Sequence, residues 1–120
     1  MKIKGVGIDI IEIRRVGKAA ENPRFFEKMF TEREMEFFRS RNMNISTIAA
    51  SFAAKEAYVK ALGTGFGGES PKSVEILRDD KGKPFIVSDR KDMNFFVSVS
   101  HCRDYAVAQI IAAQREEDIT

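Results

Sequence analysis

The chain has 120 residues, 43% hydrophobic and 32% charged, with a formal net charge of +2. That composition fits one domain over residues 1–120 with a single core, small enough that oligomerisation would help to cover its surface. It excludes a global basic field, so an acidic partner has to be met by local clusters. The only cysteine, Cys102, excludes an internal disulfide framework and points to a reducing compartment. No charged-then-apolar leader opens the sequence and no apolar run reaches the length of a membrane span, so a cytoplasmic protein without membrane contact is expected.

Residues 2–13 (KIKGVGIDIIEI) are rich in Ile and Val and predict a strand. Gly5, Gly7 and Asp9 share one face of it, and the missing side chains allow a close approach by another element or a ligand. Residues 14–30 predict short helical pieces broken near Pro23. Thr31-Glu32-Arg33-Glu34 matches a capping box, with Phe30 and Met35 placed for a hydrophobic staple, so a helix is expected over 32–41. A longer helix is expected over 45–62 (ISTIAASFAAKEAYVKAL), capped by Gly63 and followed by a glycine-rich loop over 63–68. Strands are predicted at 72–78, 84–88 and 94–100, with a turn at 79–82, and a last strand runs from 105 to 113 after a short turn. Hairpins with segregated helices argue an α+β fold.

Glu56 carries the sharpest physical signal. Ile45, Ala49, Phe52, Ala53 and Val59 all fall near its side of the helix, so a carboxylate sits in an apolar stripe. There it must be paired, protonated or bound to a metal, because burying it alone is expensive. Lys60, one turn on, offers the ordinary alternative of a Glu56–Lys60 ion pair. Asp9 ends an apolar strand, where an acid is poorly suited, although a strand-end cap explains it as well. If the two carboxylates met, they would suit Mg²⁺, which takes one or two carboxylates, waters and substrate phosphates.

The motifs Gly7-Ile8-Asp9-Ile10, Phe52-Ala53-Ala54-Lys55-Glu56-Ala57, Lys60-Ala61-Leu62-Gly63-Thr64-Gly65, Gly82-Lys83-Pro84 and Val97-Ser98-Val99-Ser100-His101, with Tyr105-Ala106 after them, stand in one order across nearly the whole chain. In that order they resemble the holo-acyl-carrier-protein synthase family, the small 4′-phosphopantetheinyl transferases. The resemblance implies an antiparallel sheet packed on a long helix, one unit of the pseudo-duplicated larger relatives. It implies a homotrimer with active sites at subunit interfaces. It also implies transfer of the phosphopantetheine arm of coenzyme A to a serine of apo-acyl carrier protein, in support of fatty acid biosynthesis. Mg²⁺ on Asp9 and Glu56 would bridge to the coenzyme A pyrophosphate, and Lys60 would contact a phosphate or the leaving oxygen. Gly63, Thr64, Lys83, Pro84, Ser100 and His101 match positions that contact coenzyme A. The family often has Arg before the Phe of the Phe-x-x-Lys-Glu-Ala motif, and here that position is Ser51. For the general base, a water on the metal and Glu56 acting through water both stand as candidates.

Arg14, Arg15, Lys18, Arg24 and Lys28, with Phe25 and Phe26 among them, form a local basic-aromatic patch. It reads either as a solvated helix face or, because the resemblance implies an acidic carrier, as its docking surface: Arg15, Arg24 and Phe25 match the family's docking positions, and Arg14 adjoins them in the patch. A nucleic-acid module could use the same patch, but Glu12, Glu21 and Glu27 interrupt it. A metal-dependent phosphohydrolase on the same acids lacks a third evident ligand and a second histidine.

Overall fold

The structure is a computed structural model that describes residues 1–64 and 68–116. Its elements run β1 (Lys2–Glu12), α1 (Ile13–Ala19), α2 (Pro23–Met29), α3 (Glu32–Ser40), α4 (Ile45–Leu62), β2 (Val74–Arg78), β3 (Pro84–Ser88), β4 (Met93–His101) and β5 (Tyr105–Gln114). The predicted elements are all found, with ends shifted by a residue or two. The largest change is at 72–73, where a single helical turn, Pro71–Ser73, precedes β2.

Local chemistry sets these boundaries. Asn22 caps α2 through Arg24 N, with Pro23 at the first helical position. Thr31 and Glu34 close the reciprocal capping box of α3. Asn44 accepts from Ser46 N and Thr47 N at the start of α4, and Gly63 ends it in the left-handed region at φ 75°. In the β2–β3 turn, Asp79 Oδ1 accepts from Lys81 N and Lys83 N, each at 2.9 Å.

The strands divide into two antiparallel sheets rather than one. β1-β5-β4 form a three-stranded sheet and β2-β3 a separate hairpin. Helix α4 lies against the inner face of the larger sheet and also touches β2, so it is the central element. Eleven of its eighteen residues are buried, which makes it apolar all round rather than along one stripe. Alanines line both sides of its contact with the sheet: Ala53, Ala57 and Ala61 on α4, Ala106, Ala108 and Ala112 on β5. Small side chains let helix and sheet approach closely, and Tyr58, Val74, Ile76 and Ile110 fill the remaining volume. A second cluster forms where α1, α2 and α3 close over the start of α4, around Val16, Phe30, Phe38 and Ile48.

Candidate active site

The approach is closest where β1 crosses α4. A Cβ on Gly7 would lie 1.9 Å from the Ala57 carbonyl oxygen, and one on Gly5 would lie 1.9 Å from that of Ala61. Both glycines are therefore required by backbone contact, not by turn geometry. Two residues beyond Gly7, Asp9 points the same way and meets the C-terminal half of α4. Lys60 Nζ donates to Asp9 Oδ1 and to the Ile8 carbonyl oxygen, each at 3.0 Å. Asp9's side chain is 17% exposed and that of Lys60 53%. Glu56, half-buried, sits one helical turn before Lys60.

Burial is the largest influence on the Glu56 carboxyl and raises its pKa. The neighbouring Asp9 carboxylate raises it further, and Lys60 opposes both. The Asp9 carboxylate is thus near enough for its charge to be felt at Glu56. Lys60 answers Asp9 across the strand rather than forming the Glu56–Lys60 pair that helical spacing offers. The carboxylates of Asp9 and Glu56 would supply oxygen donors of the kind Mg²⁺ takes, to be completed by water and phosphate oxygens. Among the described residues no group of three or more His, Cys, Asp or Glu side chains is placed to hold a metal.

The other predicted residues are spread around this centre. Gly63 caps α4, and the exposed Thr64 follows with its N–H on the Val59 carbonyl at 3.3 Å. Gly65, Phe66 and Gly67 of the expected loop lie outside the described residues. Ser100 and His101 end β4 and are exposed. Register separates them: Ser100 is in line with Val107 and Ile10 on the outer face, whereas His101, with Ala106 and Ile11, shares the inner face with Asp9. Two strand spacings, about 10 Å, separate His101 on β4 from Asp9 on β1. Lys83 and Pro84 belong to the β2–β3 hairpin, where Pro84 pairs with Arg78. Arg14, Arg15 and Arg24 are exposed on α1 and α2. Phe25 is half-buried, its ring 5.4 to 5.8 Å from those of Phe26, Phe30 and Phe52. It therefore belongs in large part to the second core cluster, and the arginines carry the exposed portion of the patch.

A fully buried ion pair went unread in the sequence. Lys55 Nζ lies 2.7 Å from Glu34 Oε1, both side chains at 0% exposure. Lys55 also donates to the carbonyls of Pro71 at 2.7 Å and Val74 at 2.8 Å. Glu34 accepts from Thr31 N and Ile76 N, each at 3.0 Å. Burial pushes Glu34 up and Lys55 down, and each partner opposes the other's shift. A lysine inside an alanine-rich helix turn was the available signal. Ser51, also fully buried, has a hydroxyl with no hydrogen-bond partner among the described residues.

This arrangement, a strand-borne acid facing a helical Lys-Glu-x-x-x-Lys, defines a class. The model of the 4′-phosphopantetheinyl transferase superfamily matches residues 5–110, and the chain belongs to that family. Among similar curated proteins, a holo-[acyl-carrier-protein] synthase of Clostridium botulinum (strain Alaska E43 / Type E3) is 47% identical, covering 91% of this chain and 96% of that protein. One from Alkaliphilus metalliredigens is 48% identical, covering 92% and 98%. The crystal structure of the Bacillus anthracis holo-(acyl-carrier-protein) synthase, in complex with CoA (3′,5′-ADP), superposes with a TM-score of 0.86 at 37% identity over 96% of this chain and 100% of that one. The Helicobacter pylori enzyme in complex with coenzyme A gives 0.81 at 29% identity over 90% and 99%.

Proposed function

We propose that this chain transfers the 4′-phosphopantetheine arm of coenzyme A to a serine of apo-acyl carrier protein, the activity for which its relatives are named, in support of fatty acid biosynthesis. The observation that carries the reading is the meeting of Asp9, Glu56 and Lys60 where β1 crosses α4. In the reaction the seryl oxygen bonds to the phosphorus that bears the pantetheine arm. The bond from that phosphorus to the bridging pyrophosphate oxygen breaks, and 3′,5′-ADP leaves. The seryl proton passes to a base, for which Glu56 acting through a water is one candidate. Asp9 and Glu56 would hold Mg²⁺, which when bound supplies charge neutralisation on the pyrophosphate. Lys60 is long and half-exposed, so it can leave Asp9 for a phosphate oxygen as charge develops there. Gly63, Thr64, Lys83, Pro84, Ser100 and His101 are assigned to coenzyme A, and Arg14, Arg15 and Arg24, with the edge of Phe25, to the acidic carrier.

A homotrimer with interfacial sites is part of the same proposal. The sheet face away from α4 supports it. In the rows Val6-Ile111-Phe96, Ile8-Gln109-Ser98 and Ile10-Val107-Ser100, the side chains of Val6, Ile8, Ile10 and Phe96 are 49% to 66% exposed. Such an apolar face calls for a partner. Since Ser100 lies on this face and His101 lies far from Asp9 within one protomer, a neighbour would complete each site. A cytoplasmic setting agrees with the exposed free thiol of Cys102. No described helix is long and apolar enough to cross a membrane.

The test is to mix the protein with coenzyme A, Mg²⁺ and apo-acyl carrier protein and follow the carrier's mass. A phosphopantetheine-sized gain is expected, and its absence would sink the reading. Asp9→Ala and Glu56→Ala should each abolish the gain while leaving thermal unfolding cooperative. Activity retained by either at saturating Mg²⁺ would refute the metal assignment.

A further inference from the structure

We infer that the buried Lys55–Glu34 pair positions Glu56, acting as the rotational anchor of α4 for the site proposed above. The argument is geometric. Lys55, Glu56 and Ala57 are consecutive on α4, so their side chains leave the helix about 100° apart. On one flank, the Ala57 backbone lies against Gly7 of β1, with no room for even a Cβ between them. On the other flank, the Lys55 ammonium has three acceptors for its three protons: Glu34 Oε1, Pro71 O and Val74 O. Both Glu34 oxygens are engaged as well, by Lys55, Thr31 N and Ile76 N. Glu56 is the residue between the two anchors.

The network reaches three other elements. It ties α4 to the first turn of α3 through Glu34 and Thr31, and to β2 and the turn before it through Val74, Ile76 and Pro71. Apolar contacts do not resist rotation of α4 as sharply, because dispersion is non-directional. Hydrogen bonds to a saturated ammonium are directional and enclosed at low dielectric, where a lost partner is costly. A 10° turn of α4 would carry the end of a side chain, about 5–6 Å from the axis, through roughly 1 Å. A misplacement of about 1 Å at a reacting centre can cost on the order of 100-fold in rate.

The experiment compares wild type, Lys55→Met, and the double substitution Glu34→Met/Lys55→Met. The single variant leaves a buried carboxylate without its partner and is expected to lose its cooperative unfolding transition. The double variant removes both charges and should fold with reduced stability, because apolar replacement of a whole buried pair is tolerated better than loss of one partner, although the backbone groups that the pair had bonded are left without it. Despite folding, its kcat should fall by roughly 10- to 100-fold, with KM for coenzyme A much less affected. Its affinity for Mn²⁺, titrated without donor or carrier and read by electron paramagnetic resonance, should weaken several-fold. A folded double variant with both kcat and Mn²⁺ affinity within about twofold of wild type would overturn the positioning role and leave the pair a folding element only. Should the double variant not fold, Glu34→Gln, which keeps the shape and one acceptor oxygen, is judged on the same two readouts. Wild type that fails to modify the carrier would instead overturn the proposed reaction, while the Mn²⁺ comparison would still decide the anchoring.

Discussion

Replacing Gly7 by Ala tests the idea that the active centre is set by backbone approach. The added Cβ would stand 1.9 Å from the Ala57 carbonyl oxygen and 2.7 Å from Ala61 N, neither of which is a flexible side-chain end. Ordinary contact begins near 3.4 Å, so β1 has to back away from α4 by about 1.5 Å. Overpacking of this kind costs roughly 1–3 kcal/mol. For a chain of this size, that is a fall in thermal midpoint of roughly 3–15 °C. Asp9 is two residues along and moves with the strand, so kcat should fall on the order of 100-fold. Gly5→Ala makes a similar clash against Ala61, one helical turn farther along α4, and should destabilise comparably while losing less turnover. The assay is carrier modification by mass, alongside thermal unfolding. A Gly7→Ala protein that folds and turns over within about twofold of wild type would refute the reasoning.

Three further outcomes follow from individual residues. The Glu56 carboxyl has a raised pKa in the metal-free fold, so its contribution to stability is fully present below the unfolded value and is lost as pH rises through the folded one. Glu56→Gln should therefore gain stability relative to wild type as pH increases in metal-free buffer, and parallel pH profiles of the two thermal midpoints would contradict this. Ile10→Glu puts a charge on the exposed sheet face without touching Asp9; if the proposed trimer forms through that face, the variant should sediment as a monomer, whereas an oligomer unchanged from wild type would remove that face from the proposal. Ser51→Ala deletes a fully buried hydroxyl that has no partner among the described residues and improves helix propensity. It should raise stability by about 1 kcal/mol, and a fall in thermal midpoint would show that the hydroxyl has a partner in the assembled protein.

Much of the fold was legible because its signals are local. The Thr31–Glu34 box, the Gly63 cap and the Asp79 turn each lie within a few residues of sequence, and each is found as expected. Glu56 was legible as a carboxylate among apolar neighbours, although its repulsive partner Asp9 is 47 positions away and only the family resemblance joined them. Where non-local contacts decide, spacing misled. Helical spacing offers Lys60 a pair with Glu56 as one alternative, but the carbonyl of Ile8 and the carboxylate of Asp9 give it two acceptors on β1. Glu34 was read as a capping residue and is one. Its second role, toward Lys55 and Ile76, requires knowing that α3, α4 and β2 converge. Phe25 was read from a composition of basic and aromatic residues that says nothing of which rings turn inward.

The alternation of β1 gives one short segment two loyalties. Gly5, Gly7 and Asp9 look toward the helix, while Val6, Ile8 and Ile10 look outward. Deleting a single residue between Gly7 and Asp9 would turn the acid out among the apolar side chains and send an isoleucine toward Glu56. The apolar outer face and the acid that faces the helix are thus written in the same reading frame of one strand, and neither can drift in register without carrying the other along.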